Sequence, residues 1–500
     1  MSLKKNVLAN YLGQGWRVIM SLAFVPLYIK YLGIEAYGLI GIFVMLQAWL
    51  GLLDMGMKPT LAREMARFTG GGHDTQSIWN LLRSIEIIAF GIAVLIGLVV
   101  WTASDWLSTD WVQAGEIPVD AIAHAFTLMG LVVALRFIEN VYTNSIVGLQ
   151  RQVLQNTVIS IMETFRGFGA VAVLIWVEPT IDAFFIWQGL VSLITTVIFM
   201  MVIYHILPKP ARVAQFSLSA LHDIWRFAAG IFGITLLSLL LMQVDKILLS
   251  RLLSLEYFGY YTLASVVASG LYVMVNPIGA AFYPRFTELL ERKNDQALIN
   301  TYHVGAQLVT VLMGSAAVIL IVFAERILLL WTADPVLTEQ VSPVMRVLAL
   351  GTFLNGLMWM PYQMQLAHGW TSLSIRINIV AVIILIPAIL WLVPKYGIMG
   401  AAWAWVSLNT FYILIGANFM YRKILICEKW TWYIQDILIP LLAAISTTLM
   451  LDWLLSYPSP PLAQIGMSVL ASLVTLMVSI MAAQQSREKL MIYMRHHLTR

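Results

Sequence analysis

Charge is the scarcest property of this 500-residue sequence. Only 11% of the residues are charged, whereas 60% are hydrophobic and the mean hydropathy is +0.82. Globular proteins carry about 25% charged residues. A soluble core cannot bury so much apolar surface, but a bilayer accepts it when each spanning helix supplies about 20 apolar residues and satisfies its own backbone hydrogen bonds. The composition therefore excludes a soluble protein and predicts a polytopic membrane protein.

Cysteine is nearly absent as well, since Cys427 is the only one in the chain. A single cysteine forms no internal disulfide and supports no metal framework. The eight histidines are scattered and predict no metal site. The longest connection, residues 58–83, offers no carboxylate pair, nucleotide loop or metal cluster. We therefore expect no enzyme and no cofactor, with a proton or Na⁺ as the candidate coupling ion.

Long apolar runs are what the chain has in abundance. Stretches free of charge runs predict fourteen spans, at 9–31, 37–57, 84–104, 120–147, 157–177, 182–204, 227–250, 258–283, 302–324, 344–367, 377–394, 398–421, 436–455 and 462–483. Only a few residues separate the first span from the second and the eleventh from the twelfth, so each of these pairs is expected to be antiparallel. The fold class predicted is an all-α integral membrane protein.

The basic residues predict the orientation. Twenty-one of the 30 Lys and Arg residues fall in segments on the side of the N-terminus, whereas the other side holds only Lys30, Arg251, Arg326 and Lys395. The positive-inside rule therefore places both termini in the cytoplasm, and we expect a multi-pass protein of the bacterial inner membrane. The net charge of +4 follows from this loop bias, so no nucleic-acid partner is expected.

A short motif occurs twice. IKYLGIEAYGLIGIF begins at Ile29 and SRLLSLEYFGYYTLA at Ser250, and an offset of 221 residues aligns Gly38 with Gly259. Six predicted helices separate the copies, so both face the same way, as in two parallel six-helix repeats. The predicted domains are an N-lobe at 1–205, a cytoplasmic linker at 206–226, a C-lobe at 227–422, two further helices at 423–484 and a basic cytoplasmic tail at 485–500.

Three stretches carry a family resemblance. KYLGIEAYGLIGIFVMLQAWLGLLDMGMKPTLAREMAR, VDKILLSRLLSLEYFGYYTLAS and VPKYGIMGAAWAWV resemble the polysaccharide transporter branch of the multidrug/oligosaccharidyl-lipid/polysaccharide (MOP) exporter superfamily. The resemblance implies a V-shaped pair of six-helix lobes with two added C-terminal helices. It implies flipping of lipid-linked oligosaccharides on undecaprenyl diphosphate to the outer leaflet. The expected partners are that lipid, membrane lipids, and a glycan polymerase or other envelope assembly proteins.

Ionisable residues inside predicted spans are the site candidates, because charge within a bilayer is costly. Two pairs lie three residues apart, which places each pair on one helix face: Arg136 with Glu139, and Glu163 with Arg166. These pairs either act in a transport cavity or neutralise themselves as helix-locking salt bridges. Asp54 with Lys58 and Arg83 with Glu86 form similar pairs.

Arg17 has no acidic residue within one helical turn. A guanidinium can bind a diphosphate through two hydrogen bonds, and the family resemblance implies cavity arginines, one of them from the first helix. We therefore expect Arg17 to contact the ligand, with an interhelical salt bridge, for example to Asp245, or snorkelling as the alternatives. Asp245 and Lys246 also lack partners at helical spacing. Asp245 is either a proton or Na⁺ coupling site or the balance for an arginine, and Lys246 is a candidate for binding substrate.

Arg63, Arg67 and Arg285 follow the second and eighth predicted spans at matching places. They are either positive-inside anchors or an inner gate that first captures the anionic head group.

Three functions compete at this point. A flippase needs an electropositive cavity, a drug/cation antiporter of the same superfamily needs an acidic or neutral one, and a glycan polymerase or glycosyltransferase needs a large catalytic loop or domain. The candidate residues hold one more positive than negative charge, and the resemblance favours the flippase.

Overall fold

The computed structural model of the chain describes residues 3–218, 221–222, 232, 236, 239–240, 243–454, 461–485 and 487. Over these residues the structure is helical and contains no β-strand beyond an isolated bridge between Gln113 and Ser254. Eleven of the described helical segments are long and apolar enough to cross a membrane. The predicted all-helical membrane fold is therefore confirmed.

The chain divides into two compact units, Met1–Gly259 (unit 1) and Tyr260–Arg500 (unit 2). The linker predicted at 206–226 precedes this junction, so residues 243–259 are grouped with unit 1 although they were assigned to the C-lobe. Much of the predicted linker and of the predicted seventh span at 227–250 lies outside the described residues, as does nearly all of the tail at 485–500. All of the predicted domain limits stay predictions.

In the part of unit 1 that the structure describes there are nine helices and the start of a tenth. They are α1 (Leu3–Ala23), α2 (Val25–Leu32), α3 (Ile34–Leu50), α4 (Met57–Thr69), α5 (Thr75–Trp106), α6 (Val119–Gly148), α7 (Gln152–Trp176), α8 (Ile181–Ile206), the described part of α9 (243–252), and α10 (Leu255–Ser269). A short 3₁₀ helix, Gly51–Asp54, connects α3 to α4, and a π-helical turn, Leu107–Trp111, ends the span of α5.

Local chemistry sets several of these helix limits. Gly33 separates α2 from α3 at φ 83°, a backbone conformation that glycine adopts without steric cost. This single residue is the short turn predicted between the first two spans. The Asp74 side chain accepts a hydrogen bond from the Ser77 backbone N–H at 2.8 Å and so caps α5. Thr180 caps α8 in the same way, through the Ala183 N–H at 3.3 Å.

Helix α6 forms the centre of unit 1, where it packs against α5 and α8, while α1 packs against α7. In its most apolar stretch 56% of α6 is buried, compared with 28% for α5. A helix surrounded by protein can carry polar residues at bilayer depth, because those residues face other side chains rather than lipid. The polar residues of α6 are therefore the ones that position the candidate site.

Unit 2 continues the helical series. Its helices are α11 (Tyr272–Glu291), α12 (Asp295–Val309), α13 (Ser315–Val322), α14 (Ala324–Thr332), α15 (Pro335–Leu357), α16 (Trp359–Ala367), α17 (Thr371–Phe411), α18 (Ala417–Lys423), α19 (Lys429–Thr431), α20 (Ile439–Leu454) and α21 (Pro461–Ala482). π-Helical stretches at Thr310–Gly314, Tyr412–Gly416 and Trp432–Leu438 join several of them. Phe286, Tyr302, Phe353 and Trp432 are among the large side chains of its core.

The predicted spans correspond well to these helices. Gly397 (φ 57°, ψ −140°) interrupts α17 at the predicted turn PKYG, so this one long element contains both the eleventh and the twelfth predicted span. The last predicted span corresponds to α21. The count of fourteen stays a prediction, because the seventh span lies mostly outside the described residues.

Candidate functional site

A polar cavity of about 250 Å³ lies within unit 1. Four helices, α1, α6, α7 and α8, supply its walls. The lining residues are Arg17, Glu139, Asn140, Thr143, Asn144, Gln155, Ile159, Met162, Glu163, Arg166 and Thr195. Four of the predicted site residues are therefore brought together: Arg17, Glu139, Glu163 and Arg166. We call this space the first cavity.

One wall of the first cavity consists of polar side chains of α6, which helical periodicity places close together. Glu139 with Thr143, Asn140 with Thr143 and Asn140 with Asn144 are each three or four residues apart, so they lie on adjoining helix faces. The side-chain amides of Asn140 and Asn144 donate to the carbonyl oxygens four residues earlier, at 2.8 and 2.7 Å. These bonds hold both side chains against α6. The helix therefore presents oriented amides to the cavity instead of mobile ones.

Arg17 lies on α1, where its Nε contacts the Gly13 carbonyl oxygen at 3.4 Å. Trp16 fixes this helix against α7, because its indole N–H donates to Thr164 Oγ1 at 2.9 Å. The charge of Arg17 interacts with the carboxylate of Glu163 on α7. The exposed guanidinium therefore shares the first cavity with an acidic group of another helix.

The first cavity contains two buried polar atoms that lack a hydrogen-bond partner among the described residues, Arg166 Nε and Glu139 Oε2. Arg166 does form the predicted ion pair with Glu163, but the Nε to Oε1 distance of 3.8 Å is too long for a hydrogen bond. Buried polar groups are nearly always hydrogen-bonded, so an unpartnered donor and acceptor in one cavity indicate a place for a polar ligand or water.

A second cavity, of about 620 Å³, adjoins the first, because Asn140 and Asn144 line both. It is formed by α3, the Gly51–Asp54 turn, α4 and α6. Its charged lining residues are Arg136, Asp54 and Lys58. Lys58 Nζ lies 3.5 Å from Asp54 Oδ2, so the predicted ion pair between them is present.

Arg136 lines the second cavity, which is one of the two alternatives considered for it. No ion pair with Glu139 forms in the described part of the chain. The guanidinium instead donates to Gln47 Oε1 at 2.7 Å, Gln188 Oε1 at 3.3 Å and Ser192 Oγ at 3.4 Å, and lies 5.1 Å from the centroid of the Phe43 ring. Neutral partners from α3 and α8 orient this cation without cancelling its charge.

The remaining predicted residues lie elsewhere. Asp245 and Lys246 are half-buried on α9, and neither belongs to the described lining of the two cavities. Arg63 and Arg67 are exposed on α4, where both lie within ion-pair distance of Glu64, at 3.8 and 2.8 Å. Arg285 on α11 pairs with Glu288 at 2.6 Å.

Two acidic centres were not predicted. Glu64 is only 1% exposed and also bonds His73 Nε2 at 2.7 Å, so it organises three basic groups. In unit 2, His303 is 2% exposed and contacts Asp436, which is fully buried. The signal in the sequence for this second pair was an imidazole and a carboxylate, each near the start of a predicted apolar span. Such residues need partners, but 133 residues separate these two.

Comparison with known proteins relates the whole of unit 1 to one family. The model of the family described as "Polysaccharide biosynthesis protein" matches residues 3–290, and a model described as MatE matches residues 230–391. A Shigella flexneri protein named "Putative O-antigen transporter" is 20% identical over 413 residues, which make up 81% of this chain and 94% of that protein.

Two solved structures share the fold. The lipid II flippase MurJ in an inward closed conformation has a TM-score of 0.68 at 13% identity, with 95% of this chain and 98% of that chain covered. An inward-facing multidrug resistance MATE family transporter of the MOP superfamily has a TM-score of 0.66 at 15% identity, with 81% of this chain and 95% of that chain covered. At these identities the likeness is one of fold.

Proposed function

Because the chain belongs to the polysaccharide biosynthesis protein family, the polysaccharide transporter branch of the MOP superfamily, we propose that it flips an undecaprenyl-diphosphate-linked oligosaccharide. The cargo would be an O-antigen, capsule or exopolysaccharide repeat unit, moved from the cytoplasmic to the outer leaflet by alternating access. The membrane would be the bacterial inner membrane, with both chain termini in the cytoplasm. A glycan polymerase and other envelope assembly proteins are the proposed partners.

The observation that carries this proposal is the position of Arg17 and Arg166 in the first cavity, with the unpartnered Nε of Arg166. A diphosphate offers several anionic oxygens, and guanidinium groups bind such oxygens through paired, charge-assisted hydrogen bonds. Asn140, Thr143 and Asn144 stand beside the two arginines. Amide and hydroxyl groups are suited to the hydroxyls of a sugar, so one polar wall accommodates both parts of such a head group.

The second cavity supports the same conclusion by its size and charge. Its volume of about 620 Å³ falls in the range of about 300–1,000 Å³ typical of small-molecule sites. Arg136 contributes a cation there, whereas Asp54 and Lys58 balance each other. Across both cavities four basic residues face three acidic ones, an excess of one positive charge. An anionic head group is favoured by this sign.

We propose the following roles. Arg17, Arg136, Arg166 and Lys246 bind the diphosphate or sugar; Glu139, Glu163 and Asp245 balance charge or take part in ion coupling; Arg63, Arg67 and Arg285 form the inner gate. The polyprenyl chain would stay in lipid, since its transfer into polar cavities would be unfavourable.

An ion-coupled antiporter of small cationic molecules is the second candidate. Two carboxylates, Glu139 and Glu163, line the first cavity and balance its two arginines. The MATE fold and the MatE match over residues 230–391 agree with this alternative. Catalysis is less well supported, because the relatives reported above are named as transporters or flippases.

The decisive experiment is a transbilayer assay of a fluorescent polyprenyl-diphosphate sugar with the full chain reconstituted in vesicles. Wild type should move the lipid, Arg17→Ala should lose most of this activity, and Arg17→Lys should recover only part because lysine lacks the guanidinium fork. Arg83→Ala is the matched control, since Arg83 is an exposed arginine on α5 paired with Glu86 at 3.3 Å.

Three results would separate the candidates. Equal transport by wild type and Arg17→Ala would make Arg17 structural. No lipid movement by wild type, together with uptake of a cationic dye, would establish the antiporter instead. Loss of transport in Arg83→Ala as well would show that the assay reports folding.

A further inference from the structure

A buried histidine between two carboxylates lies in unit 2, away from the two cavities. His303 Nδ1 lies 2.5 Å from Asp436 Oδ2, and His303 Nε2 lies 3.1 Å from Glu428 Oε2. Gln307, one turn after His303 on α12, donates to the other oxygen of Asp436 at 3.0 Å. The exposed fractions are 2% for His303 and 25% for Glu428. Only Glu428 therefore connects this cluster to the surface of the unit.

Counting hydrogens indicates that the cluster accommodates an additional proton. Each of the two N···O contacts requires one hydrogen between its atoms, whereas a neutral imidazole carries a single N–H. The second hydrogen is therefore an extra proton, on the imidazole or on a carboxyl group. With this proton the three groups carry a net charge of −1, and without it they carry −2. Such charge is costly in a buried place, so the contacts stabilise the protonated state.

The other groups around His303 do not replace this proton. α11, α15, α16 and the Trp432–Leu438 stretch pack against α12. Their charged and titratable groups, with those of the adjoining turn, are Tyr272, Tyr283, Arg285, Glu288, Glu291, Glu339, Arg346, Tyr362, Glu428, Lys429, Tyr433 and Asp436. Arg285 pairs with Glu288 and Arg346 with Glu325. Lys429 donates to Asn418 at 2.9 Å.

Among these groups, the carboxylates of Asp436 and Glu428 are the ones that interact with His303. The phenol oxygens of Tyr302 and Tyr421 form a hydrogen bond of 2.5 Å beside the cluster. Both phenols interact electrostatically with the carboxylate of Asp436. Within the described residues, therefore, no basic side chain neutralises the two carboxylates besides His303 itself.

The backbone next to Glu428 is strained. Leu425 and Cys427 have φ values of 56° and 78°, which cost energy for residues with side chains. These residues belong to the turn between α18 and α19. Asp436 lies in the π-helical stretch Trp432–Leu438, and a second π-helical turn, Thr310–Gly314, follows α12. π-Helical turns inside longer helices are frequent at functional sites.

We infer that His303, Asp436 and Glu428 form a proton-binding site whose proton drives transport; the driving role rests on the proposed function, whereas proton binding does not. Once the proton has left, His303 Nε2 and the facing oxygen of Glu428 are both hydrogen-bond acceptors, so no hydrogen bond joins them. The half-buried carboxylate of Glu428 then separates from His303 and is hydrated, and the turn at 424–428 moves with it. Proton transfer therefore passes between Glu428, at the surface, and His303, in the interior.

The single cysteine provides a direct probe, because Cys427 is exposed and adjoins Glu428. The full chain is labelled there with an environment-sensitive, pH-insensitive fluorophore, and its emission is followed as the pH is changed. We expect one single-proton transition in wild type, and its loss in His303→Gln and Glu428→Gln. His368→Gln should keep the transition, because His368 bonds a backbone carbonyl oxygen, that of Met364, at 2.9 Å.

An unchanged transition in both His303→Gln and Glu428→Gln would overturn the proton site. If His303→Gln fails to fold, Glu428→Gln still provides the test, because Glu428 is the least buried residue of the cluster. A wild type without any transition would overturn it equally.

Coupling is tested with the same vesicles that report lipid movement. For one proton, an imposed pH difference should change the ratio of lipid in the two leaflets by up to about tenfold per pH unit. This response should be lost in Glu428→Gln. Lipid movement in wild type that ignores the pH difference would overturn the coupling while leaving the proposed function intact. A wild type that moves no lipid would overturn the proposed function, and the titration at Cys427 would still decide whether the proton site exists.

Discussion

Gly38 and Gly259, the two aligned glycines of the repeated motif, pack against each other's helices. A Cβ on Gly38 would collide with the carbonyl oxygen of Leu255 and lie 3.4 Å from the backbone nitrogen of Gly259. A Cβ on Gly259 would collide with the carbonyl oxygen of Ile34. The contact is reciprocal, since each motif copy supplies both the glycine and the backbone it touches. Small residues permit this approach of two helix backbones.

Replacing either glycine should therefore destabilise the protein. Gly38→Ala is expected to cost about 1–3 kcal/mol, because the added methyl group meets backbone atoms that cannot rotate away. Thermal unfolding of the purified protein in detergent measures this. Gly91→Ala on α5 is the matched control, since a Cβ there meets nothing within 4 Å. It should be neutral or stabilise by about 0.5–1 kcal/mol, and equal destabilisation by both variants would contradict the close contact.

Replacing a carboxylate of the first cavity should distinguish a lipid flippase from an antiporter of cationic molecules. Glu163→Gln removes a negative charge beside Arg17 and Arg166, so binding of a polyprenyl diphosphate should tighten by about tenfold, which is about 1.4 kcal/mol. A cationic dye should bind more weakly. Binding to the protein in detergent measures both ligands. The control is Glu86→Gln, which removes a carboxylate from a similar helical pair with Arg83. Weaker diphosphate binding in Glu163→Gln would oppose the flippase assignment.

Arg136 should depend on the shape of its guanidinium more than on its charge. Arg136→Lys keeps the charge but cannot satisfy Gln47, Gln188 and Ser192 together. A loss of about 1–3 kcal/mol in unfolding free energy is expected, because buried acceptors lose their donor. Lipid movement should fall as well. Arg83→Lys, at an exposed position, should change stability by less than about 1 kcal/mol. A fully active Arg136→Lys would show that charge alone suffices there.

We expect Glu64 in unit 1 to contribute more to stability than Glu288 in unit 2. Glu64→Gln leaves Arg63, Arg67 and His73 around a neutral amide, and a loss of about 1.5–3 kcal/mol is expected for hydrogen bonds to a buried charged group. Glu288→Gln should cost much less, since Glu288 is 40% exposed in its pairs with Arg285 and Arg292. Denaturant or thermal unfolding compares the two variants. Equal losses would contradict the difference in burial.

Local features of the fold were predictable because their causes are local. Apolar run length gave the helical spans, and Gly33 and Gly397 fall at the two short turns expected between neighbouring helices. Ion pairs at helical spacing were predictable for the same reason. Asp54 with Lys58 and Glu163 with Arg166 lie within ion-pair distance, one of the two alternatives that their spacing offered.

The sequence left the outcome open where a polar group has several possible partners. Helical spacing left open whether Arg136 pairs with Glu139 or lies in a cavity. Gln47 and Gln188, from α3 and α8, accept hydrogen bonds from its guanidinium. The amide oxygens lie within reach of the guanidinium only because those helices pack on α6. The sequence shows a lone charge but does not show which helix will face it.

The sequence by itself determined that this chain is a helical membrane protein of one transporter family, because hydropathy and short motifs act over a few residues. Tertiary packing alone decided that Arg17, Glu139, Glu163 and Arg166 share one cavity and that His303 meets Asp436 from 133 residues away. Buried polar groups are nearly always hydrogen-bonded, and the packing of distant helices decides which partners lie within reach.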